Sequence, residues 1–260
     1  MGQHVPDSKR NDQRTPVARR RLPKMAEIVA SELRQKILSG ALQPGDSLSS
    51  ESSLVEEYDV SRPTLREALR LLEAEQLITV RRGSHRGPVV CHPDTSVTAR
   101  SFSMLLQLRE GTLADIYAFR MVFEPVAVRM AAETASDEDL ARLRALLEEE
   151  YEVRGDADRF PEVAWRFHTT LAGLSGNITM TVLAETLERI SKRHAQAALL
   201  RWADGDRQRD SAYRAHKKLV GLMEKRSGAE AEQFWAAHMA EVGKKLLSST
   251  DELSIIELME

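Results

Sequence analysis

Residues 60–72, with the sequence VSRPTLREALRLL, carry both the start signal and the periodicity of one amphipathic helix. Ser61 is a residue type that caps helix N-termini, and Pro63 falls in the first turn, where a missing backbone N–H is tolerated. The apolar side chains that follow recur at three- and four-residue spacing and therefore share one face. That face consists of Leu65, Ala68, Leu69 and Leu72. The sequence thus predicts a helix as far as Ala74, with its arginines largely off the apolar face.

The segments on both sides of this helix predict a small helical domain that ends in a hairpin. Upstream, apolar spacing indicates a helix around residues 29–37, and a second, short helix is expected over residues 50–58. Downstream, residues 77–80 and 88–90 predict two short strands around a glycine-bounded loop, residues 81–87, that holds three arginines. Three helices and a basic hairpin form a winged helix-turn-helix, whose third helix can enter the major groove of DNA. A helical domain with a solvated hairpin is the alternative that the pattern leaves open.

The composition is that of a helix-rich protein with room for one or two domains. The chain has 260 residues, of which 42% are hydrophobic, 5% aromatic and 30% charged. Its single cysteine, Cys91, excludes an intrachain disulfide and favours a reducing compartment. No apolar run approaches the roughly 18 residues of a membrane span, and the N-terminus lacks the apolar core of a secretory signal. We therefore expect a cytoplasmic protein with no membrane partner.

The formal net charge of −3, taken alone, argues against nucleic acid as a partner, but the charge is unevenly distributed. Residues 1–95 hold 15 Lys and Arg against 13 Asp and Glu, whereas residues 96–260 hold 22 against 27. Residues 1–23 are polar and mainly basic, so we expect a disordered arm that either follows phosphates or keeps the chain soluble. The average therefore describes neither half of the chain.

Residues 29–90 resemble the DNA-binding domain of the GntR family of bacterial transcription regulators. The resemblance is carried by LRQKILSG (33–40), LQPGDSL (42–48), VSRPTLREAL (60–69), Leu72 and the wing residue Gly83. It implies a winged helix-turn-helix that binds double-stranded DNA at a short palindromic operator. The interface residues that it implies are Ser61, Arg62, Thr64, Arg66 and Gly83.

Two features of this domain bear on its choice of DNA sequence. Ser52 stands where the family often has an arginine that contacts DNA, and a serine cannot make the bidentate guanine contact of a guanidinium. In the wing, Arg81, Arg82 and Arg86 are expected to contact phosphates, which adds affinity without adding sequence choice.

Beyond residue 92 the sequence predicts helices almost to its end. The expected segments are residues 95–108, 113–135, 137–154, 158–174, 177–203, 206–225 and 229–247. Ser136 is expected to cap one of these helices, and Gly155, Gly176 and Gly205 to mark helix ends. No stretch alternates like a strand, so the prediction is a mainly α protein with an all-helical bundle of six or seven helices. The expected divisions are a winged domain over 24–91, a linker over 92–98, a helical domain over 99–250 and a tail over 251–260.

Three histidines, His168, His216 and His238, fall inside three different predicted helices beside apolar neighbours. Converging imidazoles could form a metal site of the kind that helical bundles build from facing side chains. The spacing alone does not distinguish such a site from unrelated histidines, because no short-range metal signature is present.

The second half resembles the FCD domain, the ligand-binding domain of one large GntR branch. The matching stretches are RMVFE (120–124), FH (167–168), SGN (175–177), His216 and His238. Many members bind a divalent metal through one Asp and three His, and an organic acid completes the metal shell. The place of that Asp is taken here by Ala164. Three imidazoles can still hold Zn²⁺ or Ni²⁺ with open positions for a carboxylate, so His168, His216 and His238 are the predicted ligands.

Arg120 is the predicted effector-binding residue, because the matching arginine lines the cavity in the family and a guanidinium suits a carboxylate. An ion pair with Glu124, one turn later, is the structural alternative. The resulting hypothesis is a homodimeric repressor that is controlled by a small carboxylic-acid metabolite and carries no catalytic residues.

Two other hypotheses start from the same residues. The cavity could hold a long acyl chain or an acyl-CoA without any metal, and Ala164 favours this option. Alternatively, the histidines could form a zinc hydrolase fused to a DNA-binding module. A hydrolytic zinc site normally needs an acid–base partner, and the family match gives no general base near the three histidines.

Overall fold

The computed structural model describes residues 24–80, 87–201 and 205–248. Within these ranges the chain forms ten helices and one two-stranded sheet, and it divides into two compact units between Pro93 and Asp94. The predicted arm and tail lie outside the described residues, as do Arg81, Arg82, Gly83 and Arg86 of the wing. No helix in the described part combines the length and apolarity that crossing a membrane requires.

The first unit contains three helices and a small sheet. In chain order these are α1 (Met25–Leu38), α2 (Glu51–Glu57), α3 (Arg62–Ala74), β1 (Ile78–Thr79) and β2 (Val89–Val90). The two strands are antiparallel, with Ile78 opposite Val90, and Ser47 makes a further bridge to Val89. The prediction of three helices and a hairpin in this part of the chain is confirmed.

α3 begins where its sequence predicts. The Ser61 hydroxyl accepts a hydrogen bond from the Thr64 backbone N–H at 3.3 Å, and Pro63 lies in the first turn. The buried face of α3 packs in one core with Val29 and Leu33 of α1. This face consists of Leu65, Ala68, Leu69 and Leu72. Because burying such side chains stabilises by roughly 1.5–3 kcal/mol each for the larger ones, the core fixes which side of α3 faces outward.

The described residues of the second unit form seven helices, in agreement with the predicted bundle. They are α4 (Ser96–Leu108), α5 (Leu113–Thr134), α6 (Asp137–Val153), α7 (Phe160–Leu174), α8 (Ile178–Arg201), α9 (Gly205–Glu224) and α10 (Gly228–Ser248). Ser136 caps α6 as expected, since its hydroxyl accepts from the Asp139 N–H while the Asp139 carboxylate accepts from the Ser136 N–H. α4 begins inside the stretch that was expected to be a linker.

Two helix starts differ from the sequence prediction. α7 begins at Phe160 and not at residue 158. In the turn that precedes it, one Asp156 carboxylate oxygen accepts from the backbone N–H groups of Asp158 and Arg159 at 3.0 Å. Gly205 was expected to mark a helix end, but it is the first residue of α9.

α5 lies at the centre of the second unit, in contact with α7, α8, α9 and α10. Large buried side chains from three of the other helices form much of the main core. These are Phe167 and Leu171 of α7, Leu219 and Met223 of α9, and Trp235 and Met239 of α10. Since His168, His216 and His238 neighbour these residues on the same helices, the packing of the core turns all three imidazoles toward the interior.

Candidate functional site

Three arginines form a row along one side of α3. Arg62, Arg66 and Arg70 follow at four-residue spacing, away from the buried face. Arg62 is exposed and has no ion-pair partner in the part of the chain that the structure describes. The Arg66 guanidinium bonds to Glu51 of α2, and Arg70 lies 3.7 Å from Glu67 on its own helix. This row is the basic face that the sequence predicted for α3.

Ser61 and Thr64 are held by one another at the start of this row. Their hydroxyl oxygens are 2.7 Å apart, in addition to the backbone bond that caps α3. Ser52, which stands where the family often has an arginine, bonds through its hydroxyl to the Ser50 hydroxyl at 2.9 Å. The predicted wing contacts at Arg81, Arg82 and Gly83 fall outside the described residues.

The second unit contains a cavity of about 110 Å³, partly open to solvent, among α5, α7, α9 and α10. Arg120 and the three histidines line it, so the structure brings together all of the effector and metal residues that the sequence singled out. The α7 wall is mostly apolar and includes Phe160, Ala164 and Trp165, whereas α9 adds Gln208 and Ser211. Such a cavity suits a small molecule with one polar end.

Arg120 is a member of a buried polar network. Its Nε donates to Glu124 Oε1 at 2.6 Å, so the ion pair that the sequence left open as an alternative is formed. The other Glu124 oxygen is 2.8 Å from His168 Nδ1 and accepts from Trp235 Nε1 at 3.2 Å. The guanidinium also lies 4.0 Å from the centre of the Trp165 ring. Arg120 is therefore held by several partners at the wall of the cavity.

The charges in this network follow from burial and partners. Burial alone raises the pKa of Glu124, but the Arg120 guanidinium and His168 outweigh it and hold that pKa well below its usual range. Burial lowers the pKa of His168, against the opposing effect of Glu124. Burial, together with the nearby imidazoles of His216 and His168, lowers the pKa of His238 to about 3. His168 and His238 are thus neutral near pH 7.

His216 has a buried carboxylate of its own. Its Nδ1 lies 2.8 Å from Glu150 Oε2, and the two side chains are 1% and 0% exposed. The His216 ring also stacks on Phe167, with the ring centres 4.3 Å apart. Since Nδ1 of both His216 and His168 is occupied by a carboxylate, Nε2 is the nitrogen of each ring that remains for a ligand.

The three imidazoles are close together without forming a finished metal centre. The ring centres of His168 and His216 are 5.3 Å apart, and those of His216 and His238 are 5.8 Å apart. Two imidazoles on one tetrahedral zinc have ring centres about 5 Å apart. However, the described residues include no group of three or more His, Cys, Asp or Glu arranged to hold a metal ion. Ala164 lies on the same cavity wall and offers no ligand, so the set of one Asp and three His does not fit here.

The sequence analysis did not identify the two carboxylates that bond to the histidines, Glu150 beside His216 and Glu124 beside His168. Glu150 carried a signal, because it continues the apolar stripe of α6. That stripe consists of Leu140, Leu143, Leu147, Glu150 and Val153, all of which are buried. A carboxylate in such a position needs a buried partner, but periodicity gives no information on which residue of another helix that partner is.

Two family models match the chain. The model described as "Bacterial regulatory proteins, gntR family" matches residues 25–85, and the model described as "FCD domain" matches residues 115–241. The first match covers α1 to β1 with the segment that follows, and the second covers the helices that carry Arg120 and the three histidines.

Curated relatives match over most of their length. The HTH-type transcriptional repressor NanR of Cronobacter sakazakii (strain ATCC BAA-894) is 30% identical over 234 residues, which is 88% of this chain and 86% of the relative. The HTH-type transcriptional regulator LutR of Bacillus subtilis (strain 168) is 25% identical over 207 residues, 79% of this chain and 94% of the relative. Among solved structures, the Streptococcus agalactiae GntR structure has a TM-score of 0.63 at 22% identity and covers 84% of this chain and 99% of that one. This last likeness concerns the fold alone.

Proposed function

Because the chain belongs to the FCD branch of the GntR family of bacterial transcription regulators, we propose that it is a repressor that leaves its operator when a small carboxylic acid enters the cavity beside Arg120. The family makes it a DNA-binding regulator. Repression is supported by relatives that are named repressors. The observation that carries the effector is the position of Arg120 and three imidazoles around one cavity.

DNA contacts are assigned to the arginine side of α3, the third helix of the winged domain. Arg62 and Arg66 are the residues from which we expect base or phosphate contacts, because they are exposed and lie in the first half of the helix. Ser61 and Thr64 form its first turn and would lie at the same interface. Arg81, Arg82 and Gly83 are proposed to add contacts from the wing.

The size and chemistry of the cavity favour a compact acid. A volume of about 110 Å³ is well below the roughly 300–1,000 Å³ of pockets that bind drug-sized ligands. A compact acid fits within this volume, whereas a long acyl chain or an acyl-CoA would have to extend beyond it. The outer edge of the Arg120 guanidinium can donate to a carboxylate, while the α7 wall contacts the carbon skeleton and Gln208 and Ser211 can bond to a substituent.

A zinc or nickel ion on His168, His216 and His238 is a second candidate feature of this site. The two carboxylate–imidazole pairs support it, because metal-binding histidines commonly bond to a carboxylate through the other ring nitrogen. Metal analysis of untagged protein and thermal melting after chelation test the idea. Protein that holds no metal and melts unchanged after chelation excludes it.

We further propose that the second unit associates with a second copy of itself. Phe119, Val122 and Val126 lie on one face of α5 at three- and four-residue spacing, and Val122 is 72% exposed. A row of large exposed apolar side chains on the central helix of a domain is typical of an interaction surface. Two winged domains carried by such a pair match a palindromic operator.

The experiment on the effector uses the full chain and a panel of short hydroxy, keto and dicarboxylic acids, with a long-chain acyl-CoA for comparison. Thermal melting with and without Zn²⁺ identifies ligands, since a ligand at about 100 times its Kd stabilises by about 2.7 kcal/mol. We expect the acids that stabilise the chain to release a labelled operator selected by the wild type, and Arg120→Met to lose both effects.

The matched control is Arg166→Met, which removes a more exposed arginine that pairs with Glu149 on the surface. The proposal fails if no acid stabilises the protein, or if stabilising acids leave operator binding unchanged. A response only to the acyl-CoA supports the long-chain alternative instead.

A further inference from the structure

The guanidinium of Arg66 is held from one side by a carboxylate of the neighbouring helix. Arg66 Nε donates to Glu51 Oε1 at 3.2 Å and to Oε2 at 3.4 Å, and Nη2 donates to Oε2 at 3.3 Å. Glu51 is the first residue of α2, so the contact joins the two helices of the helix-turn-helix. The Arg66 and Glu51 side chains are 63% and 34% exposed, which leaves the pair open to a ligand.

This contact occupies one hydrogen-bonding edge of the guanidinium and leaves another edge available. A guanidinium can offer two N–H groups from its side, through Nε and one terminal nitrogen, or two from its end, through both terminal nitrogens. Glu51 takes the side edge, so the end edge of Arg66 remains available to a ligand. The end edge is suited to the O6 and N7 atoms of guanine, the commonest specific contact in the major groove.

We propose that Glu51 is a positioning residue that presents Arg66 to a base of the operator, an inference that rests on the proposed DNA contacts of α3. Held in this way, Arg66 contacts a guanine in preference to the phosphates on either side. The conformational freedom of its long side chain is already restricted before DNA arrives.

The surroundings make Arg66 the arginine for which such positioning matters. Arg62 has no ion-pair partner among the described residues, and the partner of Arg70, Glu67, is 3.7 Å away and 57% exposed. Ser52 cannot make a bidentate base contact, and its hydroxyl bonds to Ser50. Among these side chains, Arg66 is therefore the arginine that is held between the two helices.

The substitution Glu51→Gln tests the proposal because it keeps the shape of the side chain and removes its charge. Without the charge of Glu51, Arg66 can turn to a phosphate. Each added phosphate contact makes the negative slope of log affinity against log salt steeper by about 0.9. We expect the ratio of operator to non-specific affinity to fall roughly two- to twelvefold, which is the effect of ordering one long side chain on binding. Affinity for non-specific DNA should rise.

The measurement uses the full chain, a duplex selected from a random library by the wild type, and a scrambled duplex of equal composition. Glu57→Gln is the matched control, because Glu57 is on the same helix and pairs with Lys36, outside the arginine row. Combining Glu51→Gln with Arg66→Ala should give no further loss of discrimination beyond Arg66→Ala alone.

The outcomes separate this inference from the proposed function. An unchanged ratio and an unchanged salt slope in Glu51→Gln, while Arg66→Ala loses discrimination, overturn the positioning role alone. Tighter operator binding in Glu51→Gln also overturns it, because Glu51 would then compete with DNA for Arg66. Wild-type discrimination in Arg66→Ala, or selection of no duplex by the wild type, contradicts the assigned DNA surface itself.

Discussion

Single buried residues set the character of the sensor cavity. Glu150 has no exposed surface and its Oε1 has no hydrogen-bond partner among the described residues, whereas Oε2 is paired with His216. A carboxylate in this position is tolerated because the buried imidazole of His216 supplies a hydrogen-bond partner for Oε2. The pair also holds the His216 ring with Nε2 toward the cavity, which links a residue of the core to the ligand site.

Replacement of Glu150 by leucine should therefore be costly. It leaves the His216 Nδ1 buried without its partner, and removing one member of a buried pair typically destabilises by about 3–5 kcal/mol. Glu150→Gln retains a hydrogen bond and should cost only about 1 kcal/mol. Urea unfolding followed by tryptophan fluorescence measures both. The adjacent Glu149→Gln, which affects a surface pair with Arg166, is the control and should change stability by less than about 1 kcal/mol.

Whole helices followed from the sequence more reliably than the contacts between them. Helix existence and approximate bounds were predictable because caps such as Ser61 and Ser136 and the apolar spacing are local signals. The start of α7 was not, since it depends on how one side chain, Asp156, bonds to nearby backbone. The pairing of Glu51 with Arg66 was also hidden, because it joins residues of two helices across 15 positions.

The histidine cluster shows the same division. The family resemblance, and not the spacing, predicted that His168, His216 and His238 lie near one another. The packing of α7, α9 and α10 brings the three rings together. That His168 and His216 each bond to a carboxylate could not be inferred, because Glu124 and Glu150 come from two further helices. Periodicity indicates the buried face of a helix, but it does not give the partner of a residue on that face.

At the level of the elements, α5 combines a buried face that carries Arg120 with an exposed apolar face. If the exposed face joins two copies, Val122→Glu should place a charge in the interface and convert the dimer to a monomer in light scattering after gel filtration. Leu38→Glu, at a 66% exposed position in the other unit, should leave the mass unchanged. A Val122→Glu protein that keeps the mass of the wild type contradicts an interface on this face.

The stability of the whole chain should depend on pH through the buried histidines. Burial lowers the pKa of His168, and it lowers the pKa of His238 to about 3. As the pH falls below about 6.5, the two histidines therefore bind protons more readily in the unfolded chain than in the folded chain. Stability from these groups is present above pH 6.5 and is lost as the pH falls below it, by up to about 1.4 kcal/mol per pH unit for each histidine. Glu124, whose pKa is depressed, adds a further loss below about pH 4.5.

Urea unfolding at pH 7.5 and pH 5.5 measures this dependence, and His238 should account for about 1.4 kcal/mol of the difference, with His168 acting in the same direction. His238→Gln removes this group and should reduce the pH dependence by about that amount. A variant with the same pH dependence as the wild type would show that His238 is not a buried neutral imidazole.

The two units must finally act on one another if an acid in the second is to control DNA binding by the first. Any factor by which the effector weakens operator binding must equal the factor by which operator DNA weakens effector binding, because the two measurements close one thermodynamic cycle. A coupling of about 1–3 kcal/mol corresponds to a five- to 150-fold change in each direction. Titration of the effector into the free protein and into the operator complex gives two affinities per site, and because a dimer on the operator has two effector sites, the square of their ratio should match the loss of operator affinity at saturating effector. Arg120→Met should abolish effector binding without changing operator affinity in the absence of effector, which places the coupling at the cavity. A mismatch between the squared ratio and that loss means that the acid acts on a species other than the one that binds DNA, and a ratio of one means that it binds without regulating.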